Sequence, residues 1–455
     1  MRHFACHWLA LSSLAVGLLA QAETRPQYGG TLHLTMHATP ETLDPADSRV
    51  PDSFARRSMS SLLFDTLVTR DDSGHAKPGL AETWQATKAN QRWQFRVRRG
   101  VKFHDGTPLT SEIVAASLRF VNPAWSVRAE GDSVVIDCNE PDPEMLAEVT
   151  LSRNAIVKRD SDEKVSGTGP FHIVDWQPGK KLTLAAEEEY WRGRPFLDGI
   201  EIEMGRNFRD QATALEVGRA EIIEVALEQA HHFSSARGRM ASSAPVELMA
   251  LVFTRDVLSP DEKLLREAFG LSVERASIHS VLLQGAGQPA GSLLPTWISG
   301  YGFVFSSRAD LQKARQLRDQ VQTARIWTIG YDSTDSLARL LVERITLNAK
   351  DAGLSVVPVT VGASDVRLAR IPLASSDPWI ALEGIAAQTG LSQGKNNGAS
   401  VEELFAAEQA ALASERVVPL FHMPAFYAAS ATLRNWAVRT DGSLELSHAW
   451  LGAAK

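Results

Sequence analysis

Residues 93–110 read WQFRVRRGVKFHDGTPLT, and this stretch carries the strongest local signals of the fold. Within it, Gln94–Arg98 alternates polar and apolar side chains, which is the pattern of a half-buried strand. Asp105-Gly106 suits a tight turn that needs a positive φ, and Thr110 or Ser111 can cap a following helix. The stretch therefore predicts a strand, a tight turn and a capped helix in succession.

Strand and helix patterns alternate along the rest of the chain. Short alternating or apolar runs predict strands at Gly30–His37, Ser133–Cys138, Ile200–Met204, Glu221–Val225 and Leu354–Val359, the last of them buried. Apolar residues at three- and four-residue steps predict helices at Ser53–Val68, Ser111–Phe120, Arg209–Val217, Asp261–Gly270, Ala309–Val321, Ser336–Ala352 and Val401–Leu412. This alternation favours an α/β architecture with mainly parallel sheets.

The composition is that of an ordinary globular protein. The chain has 455 residues, of which 44% are hydrophobic and 22% charged, so disorder, collagen-like repeats and coiled coils are excluded. At about 150 residues per domain, the length suggests two or three domains. The formal net charge of -7, without a basic stripe, argues against nucleic acid or an anionic membrane surface as a partner. With only Cys6 and Cys138, neither a disulfide framework nor a cysteine-based metal cluster is available.

The N-terminus has the pattern of a cleaved signal peptide at residues 1–22. Arg2 precedes an uncharged run from Trp8 to Ala20, and Ala20-Gln21-Ala22 supplies the small residues of a cleavage site. The run is shorter than the about 20 apolar residues of a membrane span. Cys6 precedes the apolar run, so it cannot be a lipid-bearing cysteine. We therefore expect an exported, soluble protein whose remaining thiol, Cys138, is buried on its strand and inert.

Three further sets of motifs accompany the opening stretch. The first lies before it, at 62–67 (LLFDTL) and 77–84 (KPGLAETW). The second is 167–171 (GTGPF), followed by 190–193 (YWRG) and 198–200 (DGI). The third is 266–269 (REAF), followed by 273–275 (VER) and 285–290 (GAGQPA). In this order they resemble the peptide/nickel (family 5) extracellular solute-binding proteins of ABC importers, and the resemblance extends from 28–31 and 42–45 to 418–420.

The resemblance implies a two-lobed, type II periplasmic-binding-protein fold of the α/β class, with mixed, mainly parallel sheets and a hinge crossed twice. It places the crossings near Leu248–Thr254 and Val418–Tyr427. The implied division is lobe I at 23–250 with a subdomain at 60–165, lobe II at 251–424, and a return to lobe I at 425–455. The implied function is a periplasmic subunit that captures a peptide-like or other small solute between its lobes. It would deliver this solute to an inner-membrane ABC permease as a monomer, without enzymatic activity and without a cofactor or metal.

One departure from the family pattern bears on the ligand. In peptide-binding members, a Trp-x-x-Asp-Tyr-x-Asp-Pro stretch supplies the carboxylate that pairs with the free amino terminus of the ligand. The matching residues 371–379 read IPLASSDPW, so only Asp377-Pro378 is retained and Ala374 stands at the position of the anchoring carboxylate. Because a buried ammonium group without its partner costs several kcal/mol, we do not expect the standard mode of peptide binding.

The resemblance nominates ligand-binding candidates at the surfaces where the lobes meet: Thr39, Glu41, Arg370, Asp377, Trp379 and His422. Glu41 or Asp377 could accept a ligand amine in place of the missing carboxylate, and Arg370 could face an acidic group. Trp379 could stack on an apolar or ring-shaped part of the ligand. For Trp379 and His422 the alternative is ordinary packing in a core, because large aromatic side chains are usually structural.

Other chemical patterns in the sequence are weak. The glycines at 285, 287 and 291 have the wrong spacing for a dinucleotide fingerprint, and His231-His232 and Glu187–Glu189 lack a metal-ligand spacing. No serine or cysteine nucleophile motif accompanies His104-Asp105. Three alternatives to a peptide transporter remain: a secreted ligand-sensing protein that signals to a membrane receptor, a binder of metal chelates or sugars with the same fold, and a hydrolase.

Overall fold

The computed structural model describes residues 25–71, 74–87, 89–160, 164–230, 233, 239–302, 304–323, 325–360, 362–392 and 400–452. The predicted signal peptide and the His231-His232 pair lie outside these residues. Strands form at Thr31–Thr35 (β1), Val68–Arg70 (β2), Ala76–Pro78 (β3), Ala81–Thr87 (β4), Arg92–Val97 (β5), Ser126–Glu130 (β6), Ser133–Asp137 (β7), Lys158–Arg159 (β8), Val165–Ser166 (β9), Phe171–Gln177 (β10), Lys181–Ala186 (β11), Gly199–Glu203 (β12), Ile222–Glu224 (β13), Arg239–Phe253 (β14), Gln288–Pro289 (β15), Ile326–Gly330 (β16), Ser355–Val359 (β17), Val366–Pro372 (β18), Val417–Ala429 (β19), Leu433–Arg434 (β20), Ala437–Val438 (β21), Leu444–Glu445 (β22) and Trp450–Leu451 (β23). Helices form at Phe54–Leu63 (α1), Ser111–Val121 (α2), Met145–Glu148 (α3), Phe208–Glu216 (α4), Pro260–Ser272 (α5), Arg275–Val281 (α6), Thr296–Ser299 (α7), Leu311–Asp319 (α8), Ser336–Asp351 (α9), Pro378–Thr389 (α10) and Val401–Ala413 (α11).

One large mixed sheet runs through the molecule in the order β10-β11-β12-β1-β13-β19-β14-β18-β16-β17, with β15 paired to β19. Strand β1 runs parallel to β12 and β13, and β16 runs parallel to β17 and β18. The remaining pairs of this sheet, where described, are antiparallel. The expected mixed sheet is therefore present, but antiparallel pairs make up the larger part of it.

Two cores lie on one side of the long strands β14 and β19, and we call this part of the molecule the first lobe. One core packs α1 against β1 and β10–β13, with Leu32, Met59 and Leu62 almost fully buried. The other lies within residues 67–156, where the four-stranded sheet β4-β5-β7-β6 packs against α2. This second core falls inside the range predicted for a subdomain.

Two further cores make up what we call the second lobe, and they lie on opposite faces of the same strands. On one face, α5 and α9 pack around Trp327 and Phe269. On the other face, α10 and α11 pack around Trp379 and Ile385. Helix α10 was not among the helices predicted from the sequence. It begins after Asp377, whose carboxylate accepts hydrogen bonds from the backbone N–H groups of Trp379 and Ile380.

Strands β14 and β19 connect the two lobes. The first part of β14, at 239–242, pairs with β19 beside β13, whereas 247–253 pairs with β18 in the second lobe. The register between β14 and β19 shifts between these two parts, on both sides of Pro245. The expected boundaries between 250 and 251 and between 424 and 425 fall inside these two strands.

The backbone ladder is interrupted where the strands pass between the lobes. Pro245 lies opposite Pro424, and neither proline has an N–H group to donate. The next N–H group, that of Ala425, donates to the Ser243 hydroxyl at 2.9 Å instead of to a backbone carbonyl. The connection between the lobes is therefore a two-stranded segment with few cross-strand hydrogen bonds at its middle.

Two local expectations can be compared with the structure. The run at Leu354–Val359 was predicted as a buried strand, but β17 is the last strand of the sheet and Val357 is 47% exposed, because it points to the face opposite the one on which Val356 packs in the core. Cys138 follows β7 and is partly buried. Desolvation raises the pKa of its thiol to about 11, so the thiol stays protonated, as expected for an inert cysteine.

Among the described residues, no helix is long and apolar enough to cross a membrane.

Candidate ligand-binding cleft

A cavity of about 830 Å³ lies between the two lobes. The first lobe contributes the loop at 42–52, one face of α1 and the C-terminal segment 437–448. The second lobe contributes 374–376 and the side of α10 that carries Gly384 and Gln388. The volume is in the range of pockets that hold one small molecule.

A buried carboxylate, Asp65, organises the first-lobe end of this cavity. Asp65 follows α1 and is 8% exposed. Its oxygens accept hydrogen bonds from the Thr168 hydroxyl at 3.0 Å, the Tyr190 hydroxyl at 3.1 Å and the Trp191 indole N–H at 2.9 Å. Desolvation raises the pKa of Asp65, and these three donors oppose the shift. The motifs LLFDTL, GTGPF and YWRG, which are far apart in the sequence, thus meet at one carboxylate.

Arginines line the same end of the cavity. The Arg192 guanidinium lies over the Trp191 ring, 4.4 Å from the ring centroid, and donates to the Pro78 carbonyl at 3.3 Å. Arg439 is paired with Glu445. Arg57 is buried at the base of α1, where it pairs with Asp52 and donates to the Asp441 carbonyl at 2.7 Å. This wall is therefore rich in charge, and most of the charge is compensated within the chain.

The second-lobe wall is built from small, neutral residues. Ala374, Ser375 and Ser376 face the cavity at the end of β18. The Ser375 hydroxyl accepts from the Asp377 N–H at 3.0 Å. Gly384 of α10 lies beside Ala374, and a Cβ atom there would come within 3.1 Å of the Ala374 Cβ. Ala374 thus presents a methyl group to the cavity.

The lobes touch directly at the second-lobe wall. The Arg70 guanidinium, from the end of β2, donates to the Ser376 hydroxyl at 3.3 Å. Burial lowers the pKa of Arg70, and the nearby Asp377 carboxylate raises it. We call this the Arg70 contact.

A second contact between the lobes combines apolar packing with like charges. Ala147 and Leu151 of the first lobe pack against Ile380 of α10, and all three are buried. Asp142 of the first lobe and Glu383 of α10 lie close enough for the charge of Asp142 to raise the pKa of Glu383. We call this the acidic contact.

The acidic contact raises the pKa of both carboxyl groups. Burial raises the pKa of Asp142 to about 6, and the charges of Glu148 and Asp377 add to the effect. Burial likewise raises the pKa of Glu383 to about 6, with Glu148, Glu144 and Asp142 adding to it and Arg153 opposing it. Glu148 is itself paired, because Arg153 donates to its carboxylate at 2.7 Å.

The candidates chosen from the sequence lie around the cavity but do not line it. Thr39 is exposed beside Gly179 and Gly205, and Glu41 is also exposed. Asp377 caps α10 and comes nearest to the cavity, next to Ser376. Arg370 is paired with Glu247 at 2.8 Å, and this carboxylate raises the pKa of the guanidinium.

The other two candidates lie in the core of the second lobe. Trp379 is 5% exposed among the apolar residues that surround α10 and α11. His422 is 3% exposed, and its Nε2 lies 3.1 Å from the Leu293 carbonyl oxygen. Burial lowers the pKa of His422 to about 4, so the imidazole is neutral at physiological pH. The positions of both residues agree with the structural alternative considered for them.

The charged residues that line the first-lobe end of the cavity were not among the candidates chosen from the sequence. Asp65 and Arg192 stand inside quoted motifs, so a signal for them was present. Arg439 stands in the C-terminal segment, which carried no motif. In the described part of the chain, no group of three or more histidine, cysteine, aspartate or glutamate side chains could hold a metal ion.

Comparisons with known proteins connect this architecture to a family. Residues 75–382 match the model of the bacterial extracellular solute-binding proteins, family 5 Middle. The nickel-binding protein NikA of Staphylococcus aureus is 22% identical over 368 residues, which span 76% of this chain and 73% of NikA. Members of this family are binding proteins that act outside the cytoplasm, with ABC permeases as partners.

Solved structures have the same fold. DppA from Helicobacter pylori in complex with the peptide STSA superposes with a TM-score of 0.81 at 18% identity, covering 94% of this chain and 99% of DppA. AgaA from A. tumefaciens R10 in complex with agropinic acid superposes with a TM-score of 0.77 at 19% identity, covering 92% of this chain and 99% of AgaA. These likenesses confirm the type II periplasmic-binding-protein fold expected from the sequence. The chain therefore belongs to the bacterial extracellular solute-binding proteins of family 5, the substrate-binding subunits of ABC importers.

Proposed function

We propose that the protein works in the periplasm as a monomer, after removal of residues 1–22, and carries one small solute to its permease without converting it. The observation that supports this proposal most is the cavity of about 830 Å³ with walls from both lobes. A solute that contacts both walls favours the closed state by the free energy of those contacts, which is the only way a ligand can shift such an equilibrium.

We further propose that the solute is not held by a free amino terminus. Ala374 faces the cavity at the position of the family carboxylate, and the neighbouring Ser375 and Ser376 are neutral. Relatives with this fold differ in what they carry, since NikA is named for nickel, DppA is seen with a peptide and AgaA with agropinic acid. A neutral second-lobe wall favours an N-blocked peptide or a non-peptide solute over an ordinary peptide.

Thermal unfolding with matched compounds tests this ligand class. Dipeptides with a free amino group and the same dipeptides after N-acetylation are offered to the wild type, to Ala374→Asp and to the control Ala374→Ser. A compound at one hundred times its Kd stabilises the folded protein by about 2.7 kcal/mol. We expect no preference for the free amine in the wild type or in Ala374→Ser, and a gain for the free amine in Ala374→Asp. A preference of the wild type for free-amine dipeptides would contradict the proposal.

The transport role is tested separately. The small molecules released by denaturing protein purified from its own host are identified by mass spectrometry, and deletion of the gene should abolish uptake of that compound through an ATP-driven permease. Recovery of the compound with intact uptake in the deletion strain would instead favour a sensor that signals to a receptor. Conversion of the compound by the purified protein would favour a hydrolase.

A further inference from the structure

We infer that the first-lobe end of the cavity is a subsite for one carboxylate group of the solute, and that the Arg192 guanidinium binds it. This inference rests on the proposed function, because it names a chemical group of the solute that the cavity carries. It is carried by three observations: how Arg192 is held, which partners it has, and which charges surround it.

Arg192 is held in place through a chain of contacts that ends in the core. Its guanidinium stacks on the Trp191 ring, and the Trp191 indole N–H is fixed by the buried Asp65 carboxylate. Thr168 and Tyr190 fix Asp65 in turn. Stacking on an aromatic face orients a guanidinium without using its N–H groups, so these remain available to a ligand. The arrangement therefore presents a positioned cation to the cavity.

Arg192 also keeps more free hydrogen-bonding capacity than four other arginines of the cavity, whereas Arg70 is engaged in the Arg70 contact. Arg57, Arg153 and Arg439 are each paired with a carboxylate of the chain. Arg56 donates to backbone carbonyls of the 44–51 loop. Among the described residues, the exposed Arg192 side chain has one hydrogen bond, to the Pro78 carbonyl, and no ion pair with a carboxylate. Most of its five N–H donors thus lack a partner.

The surrounding charges favour a singly charged, planar anion. A guanidinium binds the two oxygens of a carboxylate through parallel hydrogen bonds. Asp65 lies behind Trp191 and Asp441 lies near Arg439, and both would repel a doubly charged phosphate or sulfate group. The charge of Arg192 also acts on the buried Asp65 carboxylate, so little net positive charge remains for a ligand group that carries more than one negative charge. The subsite therefore suits a monocarboxylate group at one end of the solute.

The test uses propionate, a minimal carboxylate, and propionamide, its neutral isostere. The protein is labelled with 15N-arginine, and the Arg192 Nε–H signal is identified by its absence in Arg192→Gln. We expect this signal to move saturably with propionate and to stay in place with propionamide and with sodium chloride at equal ionic strength. No saturable movement with propionate would overturn the inference.

Variants then separate the subsite from general effects of charge. From thermal unfolding, Arg192→Gln should weaken propionate binding by about tenfold or more, the usual loss for hydrogen bonds between charged groups. Arg194→Gln is the matched control, because Arg194 belongs to the same loop but pairs with Glu188 and Asp198. Equal propionate affinity in both variants would overturn the inference. The Ala374 experiment does not involve Arg192, so failure of this subsite would leave the proposed function intact.

Discussion

The two contacts between the lobes differ in the charges that they bring together. The Arg70 contact joins a cation to a hydroxyl group and lies near a carboxylate, so closure gains a favourable interaction at any physiological pH. The acidic contact buries Ile380 between the lobes and at the same time brings Asp142 and Glu383 together. One part of the closing free energy should therefore be independent of pH, and another part should depend on proton uptake.

The largest effect should come from removing the apolar centre of the acidic contact. Ile380 is 2% exposed, and Ile380→Ala leaves a cavity at the surface where the lobes meet. We expect the free energy of unfolding, measured in urea, to fall by about 2–4 kcal/mol. The control is Ile326→Ala, because Ile326 is 67% exposed and its loss should cost little. Equal losses in the two variants would mean that the apolar centre contributes nothing to the contact.

The pH dependence of closure should be the next largest effect. The pKa of Glu383 is raised from 4.5 to about 6 in the closed protein, so the closed state binds the proton more tightly than an open state with an ordinary pKa. Closure is therefore favoured fully below about pH 4.5, and this advantage is lost as the pH rises through about 6, by up to about 1 kcal/mol because solvent screens the partly exposed Glu383. Small-angle scattering of the protein without solute should show a smaller radius of gyration at pH 4.5 than at pH 7. An unchanged or larger radius of gyration at pH 4.5 would show that protonation of the acidic contact does not favour closure.

Removing one charge of the acidic contact should reproduce the low-pH behaviour at neutral pH. Glu383→Gln keeps the shape of the side chain and relieves the repulsion from Asp142, Glu144 and Glu148, which Arg153 only partly compensates. At pH 7 we expect the ratio of closed to open protein to rise by up to about fivefold, or about 1 kcal/mol, and its pH dependence to flatten. Glu402→Gln, in the first turn of α11, is the control because Glu402 is exposed. If the closed population of the wild type did not depend on pH, and Glu402→Gln changed it, the net charge of the protein and not the acidic contact would be the cause.

The smallest effect should come from the Arg70 contact. Arg70→Gln removes the charged donor to Ser376, and because this hydrogen bond is long we expect the closed state to lose only about 0.5 kcal/mol. The loss should be the same at pH 5 and pH 8, because the guanidinium stays charged throughout. Lys77→Gln is the control, since Lys77 lies on the neighbouring strand and pairs with Asp71 within the first lobe. A loss that varies strongly with pH would show that the two contacts are not independent.

Local patterns predicted most elements of the fold, and the exceptions have physical reasons. The helix at Ser336–Asp351 has one apolar face and was predicted within one residue. Helix α10 has buried residues on nearly every side, from Trp379 to Thr389, so no apolar stripe revealed it. Strand β17 has apolar residues but lies at the sheet edge, a fact that depends on strand order and not on its own sequence.

The candidate site was less predictable, because its chemistry depends on residues that are distant in the sequence. Arg370 was a reasonable choice by residue type, but Glu247, which is 123 positions away, already pairs with it. The Asp65 carboxylate accepts three side-chain hydrogen bonds only because Thr168, Tyr190 and Trp191 reach it from two other segments. The motifs marked these segments as important, and only the fold brings them together.

The pair of prolines between the lobes, Pro245 and Pro424, has a consequence for how such a protein can evolve. A joint with few backbone hydrogen bonds to break adds little of its own to the balance between open and closed forms. Substitutions in the Arg70 contact or the acidic contact change only the balance between open and closed forms, so they should multiply the affinity for every solute by the same factor. Substitutions in the cavity should instead change which solute is preferred. Affinity and selectivity can then be adjusted in separate places and in either order.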